Sequence, residues 1–246
     1  MALFTKTDLV ALAVFVGAWI VYAIALEWTV YGRRALNVRM NHYRDVWMDR
    51  ILERDVRIVD TQIMASLQNG TAFFASTSLF AIGGSLTILR STDDVMNVMA
   101  ALPGGFETSR ALWEVKAIGL AVIFAYAFFK FAWSYRLFNY VAILLGAMPP
   151  HTERHTAHAK AHASRTAKLC AAAGLHFNRG QRAFFFALGY LGWFLSPWLL
   201  IASTIAVVIV MWQRQFGETS LSTLEADAVS SRAKAPRGRR QSRSRA

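Results

Sequence analysis

Four histidines carry the most suggestive spacing in this chain. His151, His155, His158 and His162 are separated by four, three and four residues. On a helix they would fall within about 60° of one another, one imidazole per turn, a pattern able to ligate Zn²⁺, Cu²⁺ or Ni²⁺. Glu153 is near in sequence but lies about a quarter-turn off that stripe. The competing reading is an exposed helical surface whose imidazoles become positive near anionic headgroups in mild acid. Neither HExxH nor a cysteine pair accompanies the histidines. Cys170 is the single cysteine, which excludes an intrachain disulfide and a four-cysteine metal knuckle. The expectation is no cofactor, with a metal ion on these four histidines kept as the alternative.

Arginine supplies the second candidate. In RDVWMDRILERDVRIVD, residues 44–60, Arg50, Arg54 and Arg57 would lie close enough on one helix to clamp a lipid phosphate or an acidic partner. The alternative is an internal ion-pair network, since acids nearly balance bases over this stretch and Glu53 with Arg57 has favourable i, i+4 spacing. The third candidate is a polar stripe in TQIMASLQNGTAFFASTSLFAIGGSLTIL, residues 61–89. Gln62, Asn69, Ser76 and Gly83 recur every seven residues, and Gly70, Thr77 and Gly84 repeat the pattern one position later. Seven residues make nearly two helical turns, so these groups share one side of a helix. In lipid, that side either packs against another helix or, with Glu114, Lys116 and Lys130 adding polarity, lines a solute path. Ser76 and Ser78 lack an evident base partner, so an intramembrane hydrolase is not expected.

The elements that must position these groups are apolar helices. Residues 61–89 carry no charge and would form a helix of roughly 40 Å, longer than the ~30 Å hydrocarbon core of a bilayer. Residues 9–26 are also uncharged, and Trp19, Tyr22, Trp28 and Tyr31 suit an aromatic interfacial end, giving a span of about 9–31. A third span is expected over 112–135, with Lys130 snorkelling, and 137–148 either prolongs it or re-enters the membrane. The fourth is expected over 183–212, kinked at Pro197, with Gly189 and Gly192 allowing tight packing. Between spans one and two, no Gly or Pro interrupts 34–68, which predicts one helix running directly into the second span. Pro103, Gly104 and Gly105 mark a loop. The alanine-rich stretch 151–176 is helix-compatible up to Gly174, where it should stop, with Asn178 capping the last span.

With 55% hydrophobic residues among 246, a single helical membrane domain over 1–216 is the economical reading. The formal charge of +12 follows topology more than nucleic acid, and no nucleic-acid partner is expected. Seven of the 27 basic residues fall in the last fifteen positions, and 217–246 is expected to be a disordered basic tail. Residues 33–60 hold seven arginines and 136–182 hold seven Lys or Arg, so four spans put both loops in the cytoplasm and both termini outside.

Three strings are familiar together: WMDRILERDVRIVDTQIMASLQNGTAFFASTSLFAIGG, SYRLFNYVAILLGAMPP and FNRGQRAFFFALGYLGWFLSPWLL. They resemble the uncharacterised integral membrane family named domain of unknown function 599, and the resemblance covers nearly everything from residue 9 to Phe216. It implies a four-helix membrane protein and brings no activity, cofactor or site. The fold expected is thus all-α and polytopic, with four transmembrane helices and long cytoplasmic helical loops, in a cell inner membrane. The expected role is a non-enzymatic structural, assembly or interaction component, homo-oligomeric or bound to a membrane-protein partner and to membrane lipids. The alternative is a small solute or ion transporter.

Overall fold

The computed structural model describes residues 4–30, 32, 35–94, 97 and 109–216, and the Pro103–Gly105 loop and the basic tail lie outside them. Among the described residues there are helices and no strand. Helix α1, Lys6–Trp28, opens with a reciprocal cap: Thr5 Oγ1 accepts from the Asp8 amide at 3.1 Å while the Asp8 carboxylate accepts from the Thr5 amide. Its 23 residues extend about 34 Å, enough to cross a bilayer core. Helix α2 is Leu36–Leu52 and α3 is Ile58–Arg90. The expected continuous helix is therefore interrupted between them, without glycine or proline.

Side chains make that break. Asp60, 1% exposed, accepts from Trp47 Nε1 and from Arg54, both at 2.7 Å, and so ties α2 to the start of α3 across the corner. Arg57 donates to the carbonyls of Met148 (2.9 Å) and Pro149 (2.6 Å). These charge-assisted bonds outweigh the modest helix propensity of the segment.

Helix α4, Arg110–Gly146, starts at Ser109, whose hydroxyl accepts from the Leu112 amide. Residues 137–146 prolong it into one helix of about 55 Å, longer than the ~30 Å core of a bilayer. After a short 3₁₀ turn, His151–Glu153, α5 runs Ala157–Tyr190, capped by Thr156. It passes straight through Gly174 and Asn178, where the sequence suggested a stop. A Cβ at Gly174 would meet the Arg44 guanidinium at 2.7 Å, and one at Gly180 would meet Phe131 at 2.9 Å. These glycines admit neighbours into a continuous helix rather than end it.

The fourth apolar run is not one kinked span. Helix α5 ends at Tyr190, a single turn α6 covers Gly192–Leu195, and α7 is Pro197–Phe216. Ser196 is extended, as a residue before proline tends to be, and its hydroxyl accepts from the Leu199 amide; Pro197 then occupies the first helical position, where its missing N–H costs nothing. Helix α7 folds back along α5, with Ser203 Oγ donating to the Gly189 carbonyl at 2.6 Å. A Cβ at Gly192 would lie 2.8 Å from the Leu199 carbonyl, so the tight hairpin needs that glycine.

Four helices, α1, α3, α4 and α7, are long and apolar enough to cross a membrane. The C-terminal third of α5 lies beside them. At the upper end, Asp8 accepts from Trp193 Nε1 (2.8 Å), Lys116 sits 5.2 Å from the Trp193 ring, and Arg110 pairs with Asp93. One core cluster there joins Phe15, Trp113, Phe124, Phe186, Tyr190 and Trp193. The lower core packs α2 on α4 and α5 through Met48, Ile51, Val141, Ala159, Ala163 and Cys170. The alanines of the histidine-rich stretch are thus a packing face, small enough to bring three helices together.

Candidate functional site

The four histidines do not form a stripe. Helix α5 begins only at Ala157, so His151 and His155 precede it while His158 and His162 lie within it. His151 Nδ1 pairs with Asp55, and His162 Nε2 is 2.9 Å from the Leu144 carbonyl. Among the described residues no three His, Cys, Asp or Glu side chains gather to hold a metal ion.

The arginine triplet is also dispersed. Arg50 makes a long 3.8 Å pair with exposed Glu53, Arg54 is committed to Asp60, and Arg57 to the 148–149 carbonyls. Because α2 stops at Leu52, the three never share a helix.

The stripe on α3 faces away from the bundle. Gln62, Asn69, Gly70, Ser76, Gly83 and Gly84 are exposed and Thr77 is half-buried. A Cβ at Gly70, Gly83 or Gly84 would touch nothing within 4 Å. The inward seam is a different set with the same period, Met64, Thr71, Ser78 and Ser85, all buried. Its three hydroxyls donate to carbonyls one turn back, at 2.7 to 2.8 Å, so polar atoms enter the interface already satisfied. Gln68 reaches across to Asn139 at 2.6 Å.

The site that sequence inspection missed lies between α1, α5 and α7. Glu27, at the end of α1, accepts from Arg179 Nε (3.1 Å) and Nη2 (2.5 Å) and from Arg182 Nη2 (2.7 Å). Arg179 and Arg182 are three apart on α5, so both guanidinium groups leave the same helix face. Arg214, on the last turn of α7, stands 5.3 Å from the Phe185 ring. These groups line a cavity of about 200 Å³ together with Tyr22, Gln215 and an apolar wall that includes Leu26 and Met211. Three guanidinium groups thus face one carboxylate. Among the described residues, Tyr22 Oη, Arg182 Nε and Gln215 Oε1 are buried without a hydrogen-bond partner. The sequence held one clue: a carboxylate at the end of an apolar run, and two arginines one turn apart just before another.

No curated protein and no solved structure matches the chain. The family described as protein of unknown function, DUF599, matches residues 10–220.

Proposed function

Since the chain belongs to the DUF599 family, a membership that carries no activity, we propose from its geometry that it is a non-enzymatic assembly component of a membrane complex, built by pairing copies through α3. The observation that carries this reading is the outward face of α3. Asn69 has no side-chain hydrogen bond among the described residues, and Gly70, Gly83 and Gly84 along the same helix meet open space, in a helix apolar enough to cross a membrane. In hydrocarbon an unpaired amide is costly, while small residues let a second backbone approach closely. A like face on a second copy supplies both needs. The transporter alternative calls for a polar cavity reaching this stripe, yet no residue lining the cavity at Glu27 comes from α3.

The experiment is molecular mass in mild detergent for the wild type and for Gly70→Ile with Gly83→Ile. A Cβ at either position meets nothing within 4 Å, so each chain should fold while the assembly falls to monomer. A monomeric wild type, or an assembly that survives both substitutions, refutes the reading.

Helix directions support a revised orientation in the proposed inner membrane. Helices α1 and α7 both leave the Asp8–Trp193 end, and Tyr22 lies 6.5 Å from Trp212 further down, so they run parallel while α5 runs against them. Beside the four helices apolar enough to cross, the C-terminal third of α5 then returns the chain as a fifth pass. An odd number keeps the N-terminus outside, as expected, and brings Arg214 to the same cytoplasmic side as the arginine-rich α2. A reporter fused after Phe216 should read cytoplasmic; an external reading there would restore both termini to the outside.

A further inference from the structure

We propose that the cavity between α1, α5 and α7 binds a phosphate group, carried either by an anionic lipid or by a free phosphorylated compound. The reasoning begins with charge. Arg179, Arg182 and Arg214 set three fixed positive charges around the hollow and Glu27 returns one, leaving an excess of two. Glu27 already accepts three hydrogen bonds from Arg179 and Arg182, which turns it into the strut that holds both guanidinium groups at the wall. Among the described residues Arg214 makes no such pair; it stands over the Phe185 ring, which leaves its donors for a ligand.

Burial supplies the independent observation. The Arg182 side chain is only 9% exposed, and its Nε–H has no acceptor. Tyr22 Oη, on the same cavity, is an unpaired hydroxyl able to donate. Each buried donor left unsatisfied costs about 1–3 kcal/mol, so two on residues lining one hollow favour an occupant rich in acceptors. Phosphate has that chemistry: its oxygens accept from several directions, and guanidinium forks match them in pairs. Gln215 Oε1, an acceptor, suits a hydroxyl neighbouring the phosphate. The apolar wall and the position at the end of α1 and of α7 place the cavity where a headgroup sits while its chain enters the bilayer.

Full-length protein stripped of copurifying lipid tests this by its thermal midpoint in mild detergent. The additions are inorganic phosphate, dihexanoyl phosphatidylglycerol, and dihexanoyl phosphatidylcholine as the control of equal chain length. A rise with phosphatidylglycerol above that with phosphatidylcholine, without one from inorganic phosphate, assigns an anionic lipid. A rise with inorganic phosphate as well assigns the phosphate group itself. Arg214→Gln leaves the Glu27 strut intact and should weaken binding of the responding probe at least tenfold. Arg182→Gln, verified as folded by far-UV circular dichroism, should abolish it. No rise with either anionic probe, a response equal to phosphatidylcholine, or Arg214→Gln binding as tightly as wild type would overturn the proposal.

Discussion

Two regions of this molecule collect arginine and put it to opposite uses. At the lower corner, Arg54 and Arg57 fasten the chain to itself: one ties down buried Asp60, the other binds the carbonyls that end α4. Between α1, α5 and α7, Arg179 and Arg182 are held by Glu27 while Arg214 stands beside a ring. Orphaned atoms do not separate the two regions, because Arg57 Nε and Asp60 Oδ2 also lack partners. The imbalance of charge and the hollow do. An arginine whose fork is answered by main-chain oxygens is part of the scaffold; a cluster with two positive charges to spare around empty space is equipped to receive something.

That contrast can be pressed. The largest effect is expected at the corner, where Asp60→Ala removes the acceptor shared by Trp47 and Arg54. Loss of about 2–3 kcal/mol of stability should follow, tempered by the partial exposure of Arg54, and read as a lowered unfolding midpoint in detergent. Phosphate binding should be unchanged; a parallel loss would mean that the two regions are one. Glu27→Gln is expected to act in two directions at once. Stability should fall by about 1–2 kcal/mol as the two guanidinium groups lose their carboxylate, while affinity for a phosphate probe rises because the one negative charge among the described lining residues is gone. A fall in both would show that holding the two guanidinium groups in place outweighs the charge that Glu27 returns. The smallest effect is expected on the outer face of α3. Gly83→Ala meets nothing and improves helix propensity, so the monomer should gain about 0.5–1 kcal/mol, measured in a detergent that disperses any assembly. A destabilised monomer would show that this face is not open.

Much of the architecture could be read directly. Long uncharged runs announced most of the apolar helices; two of the four candidate crossings enclose expected spans, and the other two overlap theirs. The period of seven on α3 was also legible, but not which of its two seams turned inward. Thr71, Ser78 and Ser85 keep the same period as Asn69, Ser76 and Gly83, and hydropathy hardly tells them apart. The hairpin was written in the chain and misread. Ser196 followed by Pro197 is a cap followed by a first-turn proline as much as it is a kink, and glycines at 189 and 192 fit either reading. Gly174 misled in the other direction, since a glycine that makes room for Arg44 looks, in a string of letters, like one that ends a helix.

Local composition alone determined that this chain forms helices long and apolar enough to cross a membrane, because a run without charge is a solvent statement that needs no partner. Contacts between distant residues decided the rest. Asp60 breaks a helix through Trp47 and Arg54, and Glu27 gathers arginines more than 150 positions away, through bonds whose strength depends on who arrives to answer them. Hydrogen bonds and ion pairs are directional and short, so only the folded chain says which arginines are spent and which remain available.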